Sequence, residues 1–393
     1  MNRRDFVKTS FMTLALGAGT PGFLSKTAAA AIGKGKILVV VQLSGGNDAL
    51  NTLVPFTNGA YYAARPTLGV SKKDVLNLSS DVGFHPALKP WMNLWDAGEL
   101  AVVQGVGYPN PNRSHFESMA IWHTADPKAR ETSGWVGKIA EKYGDPFCAT
   151  HIGGTTPLAL RGDDLILPSF PNVDRFQIKL DPEIKNAFNG ILASPLEGRS
   201  ETLRQSTLQM LSDSDKVQKG IGKYKPGAKY PDAKENKLAG NLNDIARLIA
   251  ADVGQRVFYT SLGGFDTHAG QPEEHPVLLE NLSSALRAFR ADIKAQGRED
   301  DVMIVCFSEF GRRLAENASA GTDHGKAGMM FCLGKSVKGG LYGAYPDLEK
   351  LDDGDPRFTT DFRQVYATAL DQWLKIPSRE ILGSSFERVP LLR

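Results

Sequence analysis

Cysteine is scarce in this chain, which has 3 among its 393 residues. Cys148, Cys306 and Cys332 have no spacing that resembles a CxxC pair or a zinc knuckle. The last two lie within apolar, strand-like runs, where a small buried thiol is the simplest interpretation. The sequence therefore provides no cysteine-based metal or redox motif, and it leaves open whether any two of the three form a disulfide.

A one-sided charge and a long apolar run are also missing. The 46 basic and 44 acidic residues are dispersed along the chain and give a formal net charge of +2, so nothing indicates nucleic acid or an anionic membrane as a partner. No apolar stretch approaches the roughly 20 residues that a membrane span requires, and we expect no span in the mature chain. A hydrophobic content of 41% and 40 Gly are instead typical of a globular chain with many loops.

The N-terminus has the pattern of a removable export signal. A twin-arginine pair at residues 3–4 precedes a short, weakly hydrophobic core at residues 11–19 and an alanine-rich exit at residues 27–31. An ordinary amphipathic helix is the alternative, but the three features occur together. We therefore predict a Tat signal peptide in residues 1–31, export by the Tat translocase, and a location in the periplasm or at the cell surface.

Strand-like runs alternate with helical patterns in the rest of the chain. Residues 36–43 are a continuous apolar run rich in β-branched side chains, as expected for a strand that is buried on both faces. A helical pattern at residues 85–95 and a second strand at residues 100–105 follow, and this order favours a parallel sheet. We predict an α/β fold with a mostly parallel central sheet and helices on both faces. It forms a single domain over residues 32–393, with a loop-rich insertion at about 145–235.

Three segments rich in acid, histidine and glycine follow strand-like runs in the last third of the chain, at residues 263–268, 308–312 and 321–325. The carboxyl ends of adjacent strands in such a sheet meet at one crevice, so these side chains should converge. Imidazole and carboxylate together favour Zn or Mn slightly over Ca or Mg, and we predict one or two divalent ions. Each residue taken alone is as easily a cap or a turn residue. The candidate ligands are Asp48, Asp266, His268, Glu309, Asp323 and His324.

Ser114 is the candidate nucleophile. Prolines at positions 109 and 111 exclude a helix before it, and a helical pattern follows it, so Ser114 should lie at a helix N-terminus. Free N–H groups at that end bind anions and lower the cost of forming an alkoxide. Arg113 would then clamp the oxygens of an anionic ester, and His115 would act as a ligand or an acid. The alternative is that Ser114 is only an N-cap.

Other chemistries have little support in the sequence. The Gly-Gly-Asn-Asp segment at residues 45–48 lacks the spaced glycines of a phosphate loop or a dinucleotide fingerprint, and no GxSxG elbow occurs. Tat cargoes often carry redox groups, but no haem, iron-sulfur or flavin ligand pattern is present. We expect His85 and His275, each of which precedes a proline, to lie in turns, and we assign no role to His123 or His151.

Taken together, the motifs resemble a bacterial Tat-exported family known as domain of unknown function 1501. The resemblance extends over nearly the whole chain. It rests on the twin-arginine start and on the segments VQLSGGNDALNTLVP (41–55), NRSHF (112–116), GGFDTH (263–268), SEFGR (308–312) and TDHG (322–325).

That family in turn resembles a branch of the alkaline phosphatase and sulfatase superfamily. The resemblance implies an alkaline-phosphatase-like fold, with Ser114 in the place of the nucleophile at a helix start. It also implies that the metal ligands include Asp48 after the first strand, Asp266 with His268, and His324 with Asp323 beside it.

The chain departs from the superfamily pattern at two places. Only Thr267 separates Asp266 from His268, which are usually separated by three residues, and Phe310 stands where a histidine is expected. Two functions follow as hypotheses. The first is an exported metal-dependent phosphatase or sulfatase that holds an anionic ester with Arg113 or Arg312. The second is a non-catalytic exported binding protein on the same scaffold.

Overall fold

The structure of the protein is a computed structural model that describes part of the chain. It describes residues 35–393 apart from residues 129, 146–147, 164, 166, 176–189, 191–192, 194–217 and 253. The predicted signal peptide at residues 1–31 lies outside the described residues, as does much of the predicted insertion at about 145–235. The signal and the domain boundaries therefore stay predictions.

The described strands belong to one large sheet, a small three-stranded sheet and a hairpin. They are β1 (Ile37–Leu43), β2 (Leu53–Val54), β3 (Leu76–Asn77), β4 (Gly83–Phe84), β5 (Leu100–Gly107), β6 (Ala149–Ile152), β7 (Ser169–Phe170), β8 (Val257–Leu262), β9 (Val302–Ser308), β10 (Arg312–Glu316), β11 (Thr322–His324), β12 (Gly328–Leu333), β13 (Gly340–Tyr342) and β14 (Thr360–Asp361).

Within the described part of the chain, nine strands form the large sheet. Their order is β13-β5-β12-β9-β1-β8-β6-β7, and β14 pairs with β5. β1 is parallel to both β8 and β9, while β12 is antiparallel to β9 and β5. Every residue of β1 and β9 is buried, as the continuous apolar runs predict for central strands. The mostly parallel sheet is confirmed.

Helices cover both faces of this sheet, as predicted. They are α1 (Ala49–Thr52), α2 (Gly59–Ala64), α3 (Met92–Asp96), α4 (His115–Thr124), α5 (Trp135–Tyr143), α6 (Lys237–Ala251), α7 (Gln271–Ala295), α8 (Phe362–Thr368) and α9 (Ser378–Leu382). One hydrophobic core packs α6 and α7 against the sheet, and the second packs α4, α5 and α8 against the opposite face. The α/β fold class is thereby confirmed.

One edge of the sheet receives several loops, including the loop after β5 that leads to Ser114 and His115, because β5 runs in the same direction as β9. The loops after β1, β8 and β9 leave the carboxyl ends of these parallel strands. The sequence predicts that residues 321–325 also follow a strand of the main sheet, but they contain β11 of the β10–β11 hairpin and precede β12. Because β12 runs antiparallel to β9, its beginning lies at the same edge, so the segment still reaches the crevice.

Two local predictions at helix starts have different outcomes. Ser114 is the N-cap of α4, as predicted. His275 is not in a turn, because α7 begins at Gln271, which places His275 in the second turn of the helix, where it is buried. The turn was expected because Pro276 follows His275, but Pro276 lies inside this helix.

The three cysteines are buried and free. Cys306 lies in β9 and Cys332 in β12, which confirms the prediction that both occupy strands. Among the helices that the structure describes, none combines the length and the apolar character that crossing a membrane requires.

Candidate metal centre and cleft

Three imidazole rings point their Nε2 atoms at one carboxylate oxygen. Asp266 Oδ1 lies 3.3 Å from Nε2 of His115, 3.2 Å from Nε2 of His268 and 3.1 Å from Nε2 of His324. Asp266 and His268 come from the loop after β8, His324 ends β11, and His115 begins α4. The ligand atoms of His115, Asp266 and His324 lie within 4.8 Å of one another, as a shared metal ion requires.

The opposite nitrogen of each ring is held by an acceptor. Nδ1 of His324 lies 2.8 Å from the carbonyl oxygen of Arg113, which can only accept, so this nitrogen carries the proton and donates it. Nδ1 of His115 lies 2.8 Å from Glu309 Oε1, and Nδ1 of His268 lies 3.1 Å from Asp323 Oδ1. In their neutral forms all three rings therefore present a lone pair at Nε2, which is the arrangement of metal-binding histidines.

These lone pairs need a cation. Nε2 of His115 is buried and makes no hydrogen bond. Nε2 of His268 lies 2.8 Å from Nε2 of His324, where two lone pairs would repel each other unless a proton or a metal ion lies between them. Burial lowers the pKa of His324, although its hydrogen bond to Asp266 opposes that shift, so a proton on this ring is disfavoured at neutral pH. The donor set fits a metal ion.

The separations between the donor atoms test this fit. Ligands around a tetrahedral ion lie about 3.3–3.4 Å apart when the metal bonds are about 2.0–2.1 Å long. The distances of 3.1–3.3 Å between Asp266 Oδ1 and the three ring nitrogens are close to this value. About half of the Asp266 side chain is exposed, so the centre is also open to solvent on one side.

The charge states of the donors favour cation binding. Partial burial raises the pKa of Asp266, but the hydrogen bond from Arg312 and the positive charge of Arg312 oppose this, and the pKa falls to about 2. Asp266 is therefore a carboxylate at any physiological pH. The hydrogen bond to Glu309 raises the pKa of His115, and the negative charge that causes this shift would equally favour a metal ion beside the ring.

Two of the predicted ligands, Glu309 and Asp323, contact the Nδ1 atom of a histidine ring and not its Nε2 atom. Glu309 is buried and accepts hydrogen bonds from Gly45 N at 2.8 Å and Ser308 Oγ at 3.1 Å in addition to His115. Asp323 accepts from Asn317 Nδ2 at 3.2 Å as well as from His268. The structure thus places both carboxylates behind a histidine ring, where they orient it.

Asp48 was also predicted as a ligand, and the structure pairs it with an arginine. Its side chain is fully buried and accepts hydrogen bonds from Arg65 Nη1 at 2.6 Å and from the N–H of Leu50 at 3.1 Å in the first turn of α1. Burial raises the pKa of Asp48, but the adjacent Arg65 charge outweighs this, and the pKa falls below its ordinary value. Since Arg65 neutralises the carboxylate and the local turn fixes it, Asp48 does not join the cluster around Asp266.

Ser114 lies next to the centre in the chain. As the N-cap of α4 it directly precedes His115, yet its side chain makes no capping hydrogen bond. Its backbone N–H instead donates to Asn112 Oδ1 at 2.7 Å, so an Asx turn and not the serine hydroxyl shapes the helix start. The Ser114 hydroxyl is half-buried and has no hydrogen-bond partner among the described residues.

The two arginines expected to hold an anion are engaged elsewhere. Arg113 pairs with Asp353 at 3.0 Å and with the buried Asp355. Arg312 is fully buried and donates to the carbonyl oxygens of Gly45, Gly46, Phe265 and Thr322 and to Asp266 Oδ1. Arg312 therefore ties together the loops that carry the centre.

Phe310 supports two of the rings. Its ring centroid lies 4.9 Å from that of His115 and 4.7 Å from that of His324. It also packs against Gly46, where a Cβ atom would lie 2.3 Å from the Phe310 ring. The residue that replaces an expected histidine thus forms an apolar support for two imidazoles.

An open cleft of about 510 Å³ adjoins the centre. His115, Asp266 and Glu309 lie at one end, and one face of α4 forms a wall. Neither Lys nor Arg is among the described residues that line it. The sequence predicts a crevice at this edge of the sheet, but it assigns no role to His123, which lines the cleft.

Comparisons with known proteins agree with the family resemblance. The family model described as "Protein of unknown function (DUF1501)" matches residues 200–382, which confirms that resemblance. No curated protein matches the chain.

Solved structures match over most of the chain at low identity. The lipoteichoic acid synthase LtaP from Listeria monocytogenes is 12% identical, with 96% of this chain and 83% of that chain covered and a TM-score of 0.36. The PsFucS1 sulfatase from Pseudoalteromonas sp. is 11% identical, with 98% and 72% covered and a TM-score of 0.38. A protein in the alkaline phosphatase superfamily from Vibrio parahaemolyticus is 11% identical, with 86% and 72% covered and a TM-score of 0.34.

Proposed function

We propose that this DUF1501-like chain is an exported metal-dependent hydrolase of phosphoric or sulfuric esters that uses Ser114 as its nucleophile. One observation carries the proposal: three imidazole Nε2 atoms lie 3.1–3.3 Å from Asp266 Oδ1, at the N-terminus of the helix that Ser114 caps.

His115, Asp266 and His324 would hold the ion, with His268 as a further ligand. We propose a single ion at this centre, because Arg65 already neutralises Asp48, the carboxylate that the superfamily resemblance assigns to a metal. Three imidazoles favour Zn or Mn over Ca or Mg. When bound, such an ion neutralises negative charge on the ester oxygens and on the nucleophile.

Ser114 is suited to nucleophilic attack by its position. Its hydroxyl is not used as a cap, and the free N–H groups of the ten-residue helix α4 place partial positive charge around it. Ser114 Oγ would lose its proton to solvent and attack phosphorus or sulfur, the bond to the ester oxygen would break, and the alcohol would leave after taking up a proton. Water would then hydrolyse the resulting serine ester and restore the hydroxyl. Glu309 and Asp323 keep His115 and His268 in the orientation that directs Nε2 into the centre.

The metal ion and the N-terminus of α4 would bind the anionic group of the ester. Arg113 and Arg312 are both paired with carboxylates, and the cleft lining includes neither Lys nor Arg among the described residues. A substrate with one anionic group fits this arrangement better than a polyanion.

Serine replacement tests the mechanism. Ser114→Ala should abolish the hydrolysis of aryl phosphates or sulfates and leave the metal content unchanged, because the hydroxyl supports neither the helix nor the Nε2 cluster. Ser71→Ala is the matched control, since Ser71 is exposed and lies outside the cleft lining. Unaltered turnover in Ser114→Ala would remove this serine from the mechanism.

The proposal that the protein is exported depends only on the Tat signal peptide predicted in residues 1–31. Replacement of Arg3 and Arg4 by lysine should retain the protein in the cytoplasm and leave its metal content unchanged, which cell fractionation would measure. Equal export of the twin-lysine variant would contradict a Tat route.

A non-catalytic binding protein is the second candidate, and Phe310 favours it. An apolar ring lies against His115 and His324 where the superfamily resemblance implies another ligand. Stoichiometric metal without hydrolysis across a panel of phosphate and sulfate esters would support this function over the first.

A further inference from the structure

Phe116 is an unusual residue on the described surface. Its side chain is 90% exposed, and the only other large hydrophobic side chain exposed among the described residues is Val277, at 55%. Phe116 directly follows His115 in the first turn of α4 and lines the same cleft as His115 and Asp266. An exposed aromatic ring beside a candidate reaction centre is a contact surface for a ligand.

The wall of the cleft continues along α4 from Phe116. Met119, Ala120 and His123 follow at the i+3, i+4 and i+7 positions, which lie on one face of a helix, and all three line the cleft. Leu158 adds another apolar side chain. This wall, formed by Phe116, Met119, Ala120 and Leu158, is hereafter called the apolar wall.

The opposite side of the cleft is left open by glycine. Gly263 and Gly264 follow β8 and line the cleft without side chains. A Cβ atom added at Gly263 would meet no other atom within 4 Å. The space beside Gly263 is therefore free, and the cleft of about 510 Å³ that it lines has room for a ligand group.

The floor of the cleft is polar and uncharged. Gln42 Oε1 accepts hydrogen bonds from His123 Nε2 at 2.7 Å and from Tyr259 Oη at 2.5 Å, and Gln42 Nε2 donates to Ser44 Oγ at 2.7 Å. Burial lowers the pKa of His123 to about 3, so this ring is neutral. With Asp266 and Glu309 as the charged groups of the lining, the cleft disfavours a second anionic group on the ligand.

We propose that the apolar wall is a subsite for the alcohol part of the ester, and that this alcohol carries an uncharged ring whose flat face packs on Phe116. The inference rests on the proposed function, because it assumes that the anionic group of the ester binds at the Asp266 cluster. An aryl ring and the apolar face of a pyranose share the required chemistry, since both offer a flat C–H or π surface to an aromatic side chain.

Binding of non-hydrolysable acids tests the subsite without relying on turnover. The dissociation constants of phenylphosphonate, a glucose 6-phosphonate analogue and methylphosphonate are measured by calorimetry on the purified, metal-loaded chain, together with benzenesulfonate and methanesulfonate. Phe116→Ala should weaken the ring-bearing acids about tenfold and leave the methyl acids unchanged, since an aromatic contact is worth about 0.5–1.5 kcal/mol beyond its buried area. Phe116→Trp should retain binding of the ring-bearing acids. The dissociation constants of phenylphosphonate and the glucose 6-phosphonate analogue show whether an aryl ring or a pyranose is preferred.

Two further variants strengthen the test. Val277→Ala removes the other large hydrophobic side chain that is exposed among the described residues, which lies outside the cleft lining, and it should change no dissociation constant. Gly263→Leu places a side chain in the open space and should weaken only the ring-bearing acids.

The outcomes separate this inference from the proposed function. Equal effects of Phe116→Ala on ring and methyl acids, no effect on either, or no binding of any acid by the wild-type chain would overturn the subsite. Ring-selective binding without hydrolysis of the matching esters would support the subsite and contradict the hydrolase.

Discussion

Arg65 Nη1 lies 2.6 Å from Asp48 Oδ2, and both side chains are fully buried. Nε of Arg65 also donates to the carbonyl oxygen of Leu314, and Nη2 donates to that of Arg313. Gln271, the first residue of α7, donates to the same Asp48 oxygen. The pair therefore connects the loop after β1 with strand β10 and helix α7, which surround the candidate metal centre.

Loss of Arg65 should be strongly destabilising. In Arg65→Met, Asp48 would remain as a buried carboxylate without its cation, which costs about 3–5 kcal/mol when a buried pair is broken. The free energy of unfolding in urea measures the effect. Arg130→Met is the control, because Arg130 is exposed and pairs with Asp126 at the surface, where such pairs contribute about 0–1 kcal/mol. Equal losses in the two variants would contradict a structural role for the buried pair.

Metal content should depend on the histidines that contact Asp266. The wild-type chain should contain one divalent ion, and His324→Ala should lose it, because this substitution removes an Nε2 donor 3.1 Å from Asp266 Oδ1. Elemental analysis of the purified protein measures the stoichiometry.

His85→Asn is the control for metal content. His85 Nδ1 accepts a hydrogen bond from Ala87 N at a helix start, a role that asparagine can take over. Two ions per chain would contradict the single-ion proposal, and full metal content in His324→Ala would exclude His324 as a ligand.

Asp323 should affect metal affinity through His268. In Asp323→Ala the ring of His268 loses the acceptor at Nδ1, and substitutions of this kind lower metal affinity about 10–100-fold. Titration of the metal-depleted protein with Zn against a competing chelator measures this change. Asp352→Ala is a close control, since the two side chains are 54% and 55% exposed and Asp352 pairs with Lys326 and not with a histidine ring of the centre. A similar affinity in both variants would show that Asp323 does not orient His268.

Much of the fold was predictable from the sequence because buried parallel strands form continuous apolar runs. Residues 36–43 and 301–307 show this pattern, and they became β1 and β9. The convergence of the loops after β8 and β9, which carry Asp266 and Glu309, followed from the rule that strand ends meet at one edge. His324 reaches the same edge for another reason, because it lies in the hairpin that precedes the antiparallel strand β12.

The finer roles were not predictable because they depend on side-chain direction. A carboxylate that binds a metal and one that orients a histidine both occur in loops at the same sheet edge, so the sequence does not separate Asp266 from Glu309 or Asp323. The residues around Arg65 do not indicate a buried ion pair, since its partner Asp48 lies 17 residues away in another element. The reversal of β12 was likewise invisible, because a buried antiparallel strand has the same apolar pattern as a parallel one.

His123 should make the protein less stable in acid. Burial lowers its pKa from 6.5 to about 3 in the folded chain, so the neutral ring is favoured there. Below pH 6.5 the unfolded chain binds a proton at this position and the folded chain does not. The stabilisation is therefore fully present above pH 6.5 and is lost as the pH falls toward 3.

The size of this effect follows from the linkage between protonation and folding. Each pH unit in this window costs about 1.4 kcal/mol per histidine, so His123 accounts for roughly 2 kcal/mol between pH 6.5 and 5. His123→Gln keeps a donor for Gln42 but cannot be protonated, and its free energy of unfolding should fall by correspondingly less over this range. Urea unfolding at pH 7 and pH 5 provides the comparison. The same pH dependence in both proteins would mean that the folded chain protonates His123 as readily as the unfolded chain does, which the burial of this ring opposes.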